Sequence, residues 1–284
     1  MNAFPYSKLT AGSTFLGVTD VLQRNNVHII GQGPRTLLLC NGFGYNQRLW
    51  DHLAPALAAQ YRVVLFDHVG SGESDRQAYD VQKYDRLDGY AQDVVEICQA
   101  LHLRDAVLIG HSVGAIIALL TACAAPEHFG QVVLLTPSPC YINEPGYYGG
   151  FERENLQQVL DSMQTDYRSW AYQFADLLMG DANSPVLSEE LGQFFGEADI
   201  NVAQQFARVT FFSDNRADVP RLHLRTLVVL CHEDVIAPTE VGEYLVSHLP
   251  NAQLVTLRAT GHCPQLSAPL ETLAAIQDFV DMAA

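Results

Sequence analysis

Basic residues are scarce in this chain. Its 284 residues hold 16 lysines and arginines against 32 aspartates and glutamates, a formal net charge of −16. That balance repels phosphate backbones and anionic lipid headgroups, and it excludes nucleic-acid binding as a working function. Long apolar runs are missing too: no stretch reaches the roughly 18 residues that a membrane-spanning helix needs. The N-terminal segment carries one lysine, Lys8, with no apolar core behind it, so neither a signal peptide nor contact with a membrane is expected. Cysteine is sparse and dispersed. Cys40, Cys98, Cys123, Cys140, Cys231 and Cys263 form no CxxC and sit mostly in apolar segments, which excludes a disulfide framework and predicts reduced thiols in a cytoplasmic protein. Internal repeats and low-complexity tracts are absent, and the first 20 or so residues, the least patterned, read as an arm or a disordered segment.

What the chain does have is core material. At 48% hydrophobic and 17% charged it can fill one large α/β domain or two small ones. Continuous apolar runs recur at Thr36–Cys40, Arg62–Phe66, Ala106–Ile109, Val132–Leu135, Thr226–Cys231 and Ala252–Leu257. Runs that do not alternate are the mark of strands buried on both faces, and helical patterns lie between most of them: Trp50–Ala59, Leu87–Leu101, Val113–Ala124, Thr239–Leu249 and Pro269–Met282. The expectation is an α/β fold with a mostly parallel central sheet flanked by helices. The alternation breaks once. From Ser138 to about Asn215 four segments carry helix-period apolar residues and none reads as a strand, so a helical insertion follows the strand Val132–Leu135. Its many aromatic residues exceed what a surface excursion needs, and some are expected to line a pocket.

Gly110-His111-Ser112-Val113-Gly114 is the most informative stretch. It has the G-x-S-x-G pattern, with an apolar strand before it and an apolar helix former after it. Strand, tight turn and helix together place a serine hydroxyl at the tip of the turn, in front of a helix N-terminus. A serine hydroxyl needs a base in reach and a carboxylate to orient that base. In chain order after Ser112, the strand ending at Cys231 leads into His232-Glu233-Asp234, and the strand ending at Leu257 leads into Gly261-His262-Cys263. Asp234 is the expected carboxylate, with Glu233 the alternative in the same loop, and His262 is the expected base. His111 flanks the serine, but neighbours on a strand alternate sides, so it is badly placed to take the serine's proton. Two backbone N–H groups are expected to hold a developing oxyanion: that of Val113, just after the serine, and that of Phe43 in Asn41-Gly42-Phe43-Gly44. Phe43 could also close one wall of the pocket. Gly70-Ser71-Gly72-Glu73-Ser74-Asp75 lacks the lysine of a P-loop and reads as a tight turn. Asp67 with His68 has no second ligand pair near it, so no metal site is expected, and Cys263 reads as packing.

Together these residues resemble the α/β-hydrolase superfamily, and within it the branch of the bacterial stress regulator RsbQ and the plant karrikin and strigolactone receptors. The resemblance runs from about Val21 onward, on Asn41 to Trp50, Phe66 to Asp75, Gly110 to Ala115, Pro137 to Tyr141, Phe211 to Asp214 and Gly261 to Pro264. It implies an α/β-hydrolase core of residues 1–137 and 216–284 and a four-helix lid of residues 138–215, inserted after the sixth strand. It also implies a Ser112, Asp234 and His262 triad, oxyanion donors at Phe43 and Val113, and an apolar pocket. The residues assigned to that pocket are Phe43, Tyr141, Trp170, Phe174, Phe195, Phe211 and Val235. No metal or organic cofactor is implied. The expected activity is hydrolysis of a small apolar ester or lactone through an acyl-enzyme. The alternative is a slow-turnover small-molecule receptor whose lid engages a signalling protein such as a phosphatase regulator. The chain departs from the family in two places: Asn41 stands where histidine is usual, and the leading segment up to about Thr19 is extra.

Overall fold

A computed structural model describes residues 18–180 and 185–282. The leading segment up to about Thr19 lies almost wholly outside the described residues. The chain opens with α1 (Val18–Arg24), β1 (His28–Ile30), β2 (Thr36–Cys40), α2 (Ala54–Ala58) and β3 (Arg62–Leu65). It continues through α3 (Leu87–Ala100), β4 (Ala106–His111), α4 (Val113–Ala124) and β5 (Phe129–Leu135). Four helices follow: α5 (Arg153–Thr165), α6 (Tyr167–Met179), α7 (Pro185–Gly196) and α8 (Ile200–Phe211). The last part holds β6 (Arg225–Glu233), α9 (Thr239–His248), β7 (Ala252–Thr260), α10 (Pro264–Ser267) and α11 (Pro269–Asp281).

The strands form one sheet in the order β1-β3-β2-β4-β5-β6-β7. Every neighbouring pair is parallel except β1 with β3. Each apolar run expected to be a strand is one, and β4, whose six residues are all buried, takes the centre of the sheet. β1 was not anticipated from the sequence. It is three exposed residues on an edge, too short and too open to leave an apolar signature. The expected helix Trp50–Ala59 divides into a single 3₁₀ turn, Gln47–Trp50, and α2. Asn46 caps the turn by accepting from the Arg48 N–H, and Pro55 can stand only in the first turn of α2.

The helical insertion lies between β5 and β6, where the loss of strand patterning put it. Among the described residues, however, the strand that precedes it is the fifth, not the sixth, because only the short β1 comes before the parallel set. The helix α4 is buried from Val113 through Ala122, so a helix apolar all round is the right one to follow the central strand. Among the described residues no helix is long and apolar enough to cross a membrane.

One buried ionic knot ties α1 to α3. The Asp93 carboxylate, 1% exposed, accepts from Lys83 Nζ at 2.5 Å and from the Tyr84 hydroxyl at 2.8 Å, and it forms an ion pair with Arg24 at 3.1 Å, while Arg24 also pairs with Glu96 at 2.6 Å. Removing one partner from such a buried set leaves charge without compensation, at a cost of about 3–5 kcal/mol. Asp93→Ala is therefore expected to lower the unfolding free energy by about that amount. Denaturant titration checks it, and a change under about 1 kcal/mol, the size of an exposed pair, would contradict the assignment.

Candidate active site

Three strand ends bring the site together. Ser112 follows β4, Asp234 follows β6 and His262 follows β7, all at the C-terminal edge of the parallel sheet, where open α/β sheets place their ligands. Ser112 has φ 56° and ψ −126°, a left-handed conformation that few non-glycine residues adopt, and its N–H is bonded to the Leu135 carbonyl at the end of β5. The flanking glycines are needed because backbones touch there. A Cβ on Gly110 would overlap the Gly114 carbonyl, and one on Gly114 would overlap the Asn41 carbonyl.

The Ser112 hydroxyl donates to His262 Nε2 at 2.7 Å, and His262 Nδ1–H donates to Asp234 Oδ2 at 2.7 Å. All three side chains are buried. The second carboxylate oxygen, Oδ1, accepts from the backbone N–H groups of Ile236 (2.8 Å) and Ala237 (3.2 Å), so the orientation of the carboxylate is fixed by its own turn. Glu233, the alternative carboxylate, ends β6 as an exposed residue. The main chain of His262 is held as firmly as its ring. Its N–H donates to the Leu178 carbonyl in the last turn of α6 (2.6 Å), and its carbonyl accepts from His111 Nε2–H (2.8 Å) and from the Thr136 hydroxyl (3.1 Å).

Val113 opens α4, and its N–H is one of those that a helix leaves without an intrahelical acceptor. The loop carrying Phe43 follows β2, whose Cys40 is paired with Gly110 of β4, so this loop runs beside the serine turn. Asn41 anchors it from below. Fully buried, Asn41 donates to the Phe66 carbonyl (2.7 Å), accepts from Trp50 Nε1–H (2.7 Å), and receives His68 Nε2–H on its own carbonyl (3.0 Å). Asn41 thus uses both ends of its amide. Burial lowers the pKa of His68, which favours its neutral form.

A family model described as the alpha/beta hydrolase family matches residues 37–276. The chain belongs to that family. It is 35% identical over 255 residues to the karrikin insensitive 2 receptor CA of Petunia hybrida, covering 89% of this chain and 94% of that protein. It is 34% identical over 253 residues to the strigolactone esterase D14 of Arabidopsis thaliana, with the same coverage of 89% and 94%. Among solved structures, a hydrolase from Oleispira antarctica superposes with a TM-score of 0.92 at 38% identity, over 94% of this chain and 98% of that one.

In this alpha/beta hydrolase the space in front of Ser112 is apolar and narrow. Phe43, Tyr141, Phe174 and Phe211 line it, together with His111. Trp170 and Phe195 stand one ring behind, with centroids 6.2 and 5.9 Å from that of Phe43. Val235 does not belong to the wall. It is 58% exposed, whereas the turn that delivers the Ile236 N–H to Asp234 carries Ile236 inward, 3% exposed, to take that place. Tyr45, Leu178 and Thr210 also line the space and were missed from the sequence; Leu178 and Thr210 differ in no way from packing residues until their helices are placed. The free volume is about 10 Å³, room for about one water. On the other side of Phe43 and Tyr45 lies a second cavity of about 140 Å³ that reaches the Gly70–Glu73 turn.

Cys263 packs, as its sequence context suggests. Burial pushes its thiol up to about 12, and its sulfur lies 3.0 Å from the Tyr45 hydroxyl. Among the described residues no group of three or more His, Cys, Asp or Glu side chains could hold a metal ion. The Asp67 carboxylate is occupied by the Asn26 amide and by the Gln47 and Glu73 backbone N–H groups.

Burial, with His262 beside it, pushes the pKa of His111 down to about 3. The unfolded chain protonates this ring near the ordinary histidine value of about 6.5, so between those values the unfolded state binds more protons. The contribution is full above about pH 6.5 and is lost as pH falls toward 3, roughly 2 kcal/mol by pH 5. Unfolding free energy measured at pH 7 and pH 5 is expected to show that loss, and His111→Phe is expected to remove this share of the pH dependence. An identical pH dependence in the variant would contradict it.

Proposed function

We propose that the protein is a serine hydrolase of small apolar esters or lactones. The observation that carries this reading is the continuous relay from the Ser112 hydroxyl through His262 to Asp234, with both links at 2.7 Å. Relatives named as esterases support it, among them a pimeloyl-[acyl-carrier protein] methyl ester esterase of Nitrosomonas europaea at 27% identity over 253 residues, 86% of this chain and 95% of that protein. The residues act as follows. Ser112 Oγ attacks the carbonyl carbon while His262 Nε2 takes the hydroxyl proton, and Asp234 stabilises the imidazolium and holds its tautomer. The oxyanion is received by the N–H groups of Phe43 and Val113, each worth about 3 kcal/mol of barrier. Collapse breaks the acyl C–O bond, and the leaving alkoxide takes the proton from His262. Water, deprotonated by His262, then attacks the acyl-serine, and Ser112 leaves with the proton returned. This chemistry uses no metal or organic cofactor.

In the same reading, residues 138–215 act as a lid on a core of residues 1–137 and 216–284. The rings of α6 and α8 that meet Phe43 support that division. A second reading, a slow-turnover receptor whose lid then engages a protein partner, is favoured by one observation: the site must widen before it admits more than a water. Relatives named as receptors agree with it.

A short-chain aryl ester distinguishes the two. Ser112→Ala is expected to lower kcat by a factor of about 10⁴ or more. Intact-protein mass should show an acyl adduct on the wild type that the variant lacks. Rapid multiple turnover identifies an esterase, a persistent adduct with one turnover identifies the receptor, and activity retained in the variant rejects Ser112 for both.

A further inference from the structure

His111, directly before the nucleophile, is a buried histidine that the relay itself does not use. His111 lines the same space as Ser112, and its ring lies beside that of His262, with centroids 5.3 Å apart. A carbonyl oxygen only accepts, so the 2.8 Å contact to the His262 carbonyl assigns the proton of His111 to Nε2. The ring is 1% exposed and neutral, so Nδ1 carries a lone pair, and that atom faces the oxyanion loop: a Cβ on Gly42 would sit 2.5 Å from it. One side chain therefore touches the base loop and the loop of Phe43, while its own main chain leads into Ser112.

We propose that His111 is a positioning residue for the catalytic imidazole: its Nε2–H, donated to the His262 carbonyl, fixes the backbone from which that imidazole reaches Ser112. The proposal rests on the hydrolase reading above. The other donor to the same carbonyl, the Thr136 hydroxyl, is longer at 3.1 Å, and the N–H of His262 is committed to Leu178. With His111 removed, the peptide that follows the His262 ring is held by Thr136 alone. A displacement of about 1 Å at a reacting group costs on the order of a hundredfold in rate, so a lock on this carbonyl acts on kcat and leaves ground-state binding alone.

The test compares His111→Phe, which keeps a ring but has no donor, with His111→Gln, whose amide N–H reaches about as far as Nε2–H, using an aryl acetate. His111→Phe is expected to lower kcat at least about tenfold with KM within about twofold, and His111→Gln to restore most of the loss. The proton NMR signal of His262 Nδ1–H, bonded to Asp234, should broaden or shift in His111→Phe and persist in His111→Gln. Unchanged kcat in His111→Phe overturns the proposal. So does an equal loss in both variants that follows their melting temperatures, which is the mark of a packing role alone. If His111→Phe does not fold, Thr136→Val strips the second donor from the same carbonyl and is expected to lower kcat with KM unchanged; unchanged kcat there overturns the proposal as well. Ser112→Ala separates the two levels. Turnover retained in that variant defeats the hydrolase reading, whereas turnover lost there but intact in His111→Phe defeats the positioning role only.

Discussion

The imidazole of His262 is the point on which the site depends, because it must meet two groups that reach it from different strands. Ser112 arrives from β4 and Asp234 from β6, while the histidine itself comes from the loop after β7. None of these segments fixes the others locally. The sheet does so, by pairing β4 with β5, β5 with β6 and β6 with β7 in parallel register, so that three strand ends open on one edge. The His262 peptide then closes the arrangement, with one hydrogen bond from its N–H to α6 and two to its carbonyl from β4 and from the residue after β5.

That peptide also joins two parts of the molecule with different tasks. The bond from the His262 N–H to Leu178 ends on the same helix, α6, that supplies Phe174 and Leu178 to the pocket wall. The wall of the space at Ser112 is therefore bonded directly to the backbone of His262. Phe43 has a comparable double place. Its ring meets five others, from Trp170, Phe174, Phe195, Phe206 and Phe211, while its main chain lies in the loop beside the serine turn. Aromatic packing above and the amide of Asn41 below hold that loop from two sides.

Several parts of this were legible in the sequence, for reasons that are local. Strands buried on both faces leave uninterrupted apolar runs, and the elbow leaves two glycines around a serine because backbones meet there. Asp234 could be chosen because it follows such a run within a few residues, whereas His262 follows β7, an edge strand with only Leu257 buried, and could be chosen for its place in the loop after that strand. The pocket was less legible. Four of its seven expected residues line the space, two stand a ring behind, and Val235 faces solvent, because the turn after Asp234 is set by hydrogen bonds to the carboxylate and not by apolar periodicity. Tyr45, Leu178 and Thr210 carry no mark of their own that separates a pocket wall from ordinary core.

The amino-acid sequence by itself determined the α/β class, the helical character of the insertion and the three residues of the candidate relay, since each rests on short-range patterning and on the chemistry of side chains near strand ends. Only the tertiary structure decided which rings line the space at the serine, how Asn41 uses both ends of its amide, and that His111 reaches the carbonyl of His262. Those are contacts between residues far apart in the chain, 151 positions in the case of His111 and His262. Their geometry is set by sheet register and helix placement, which no local pattern encodes.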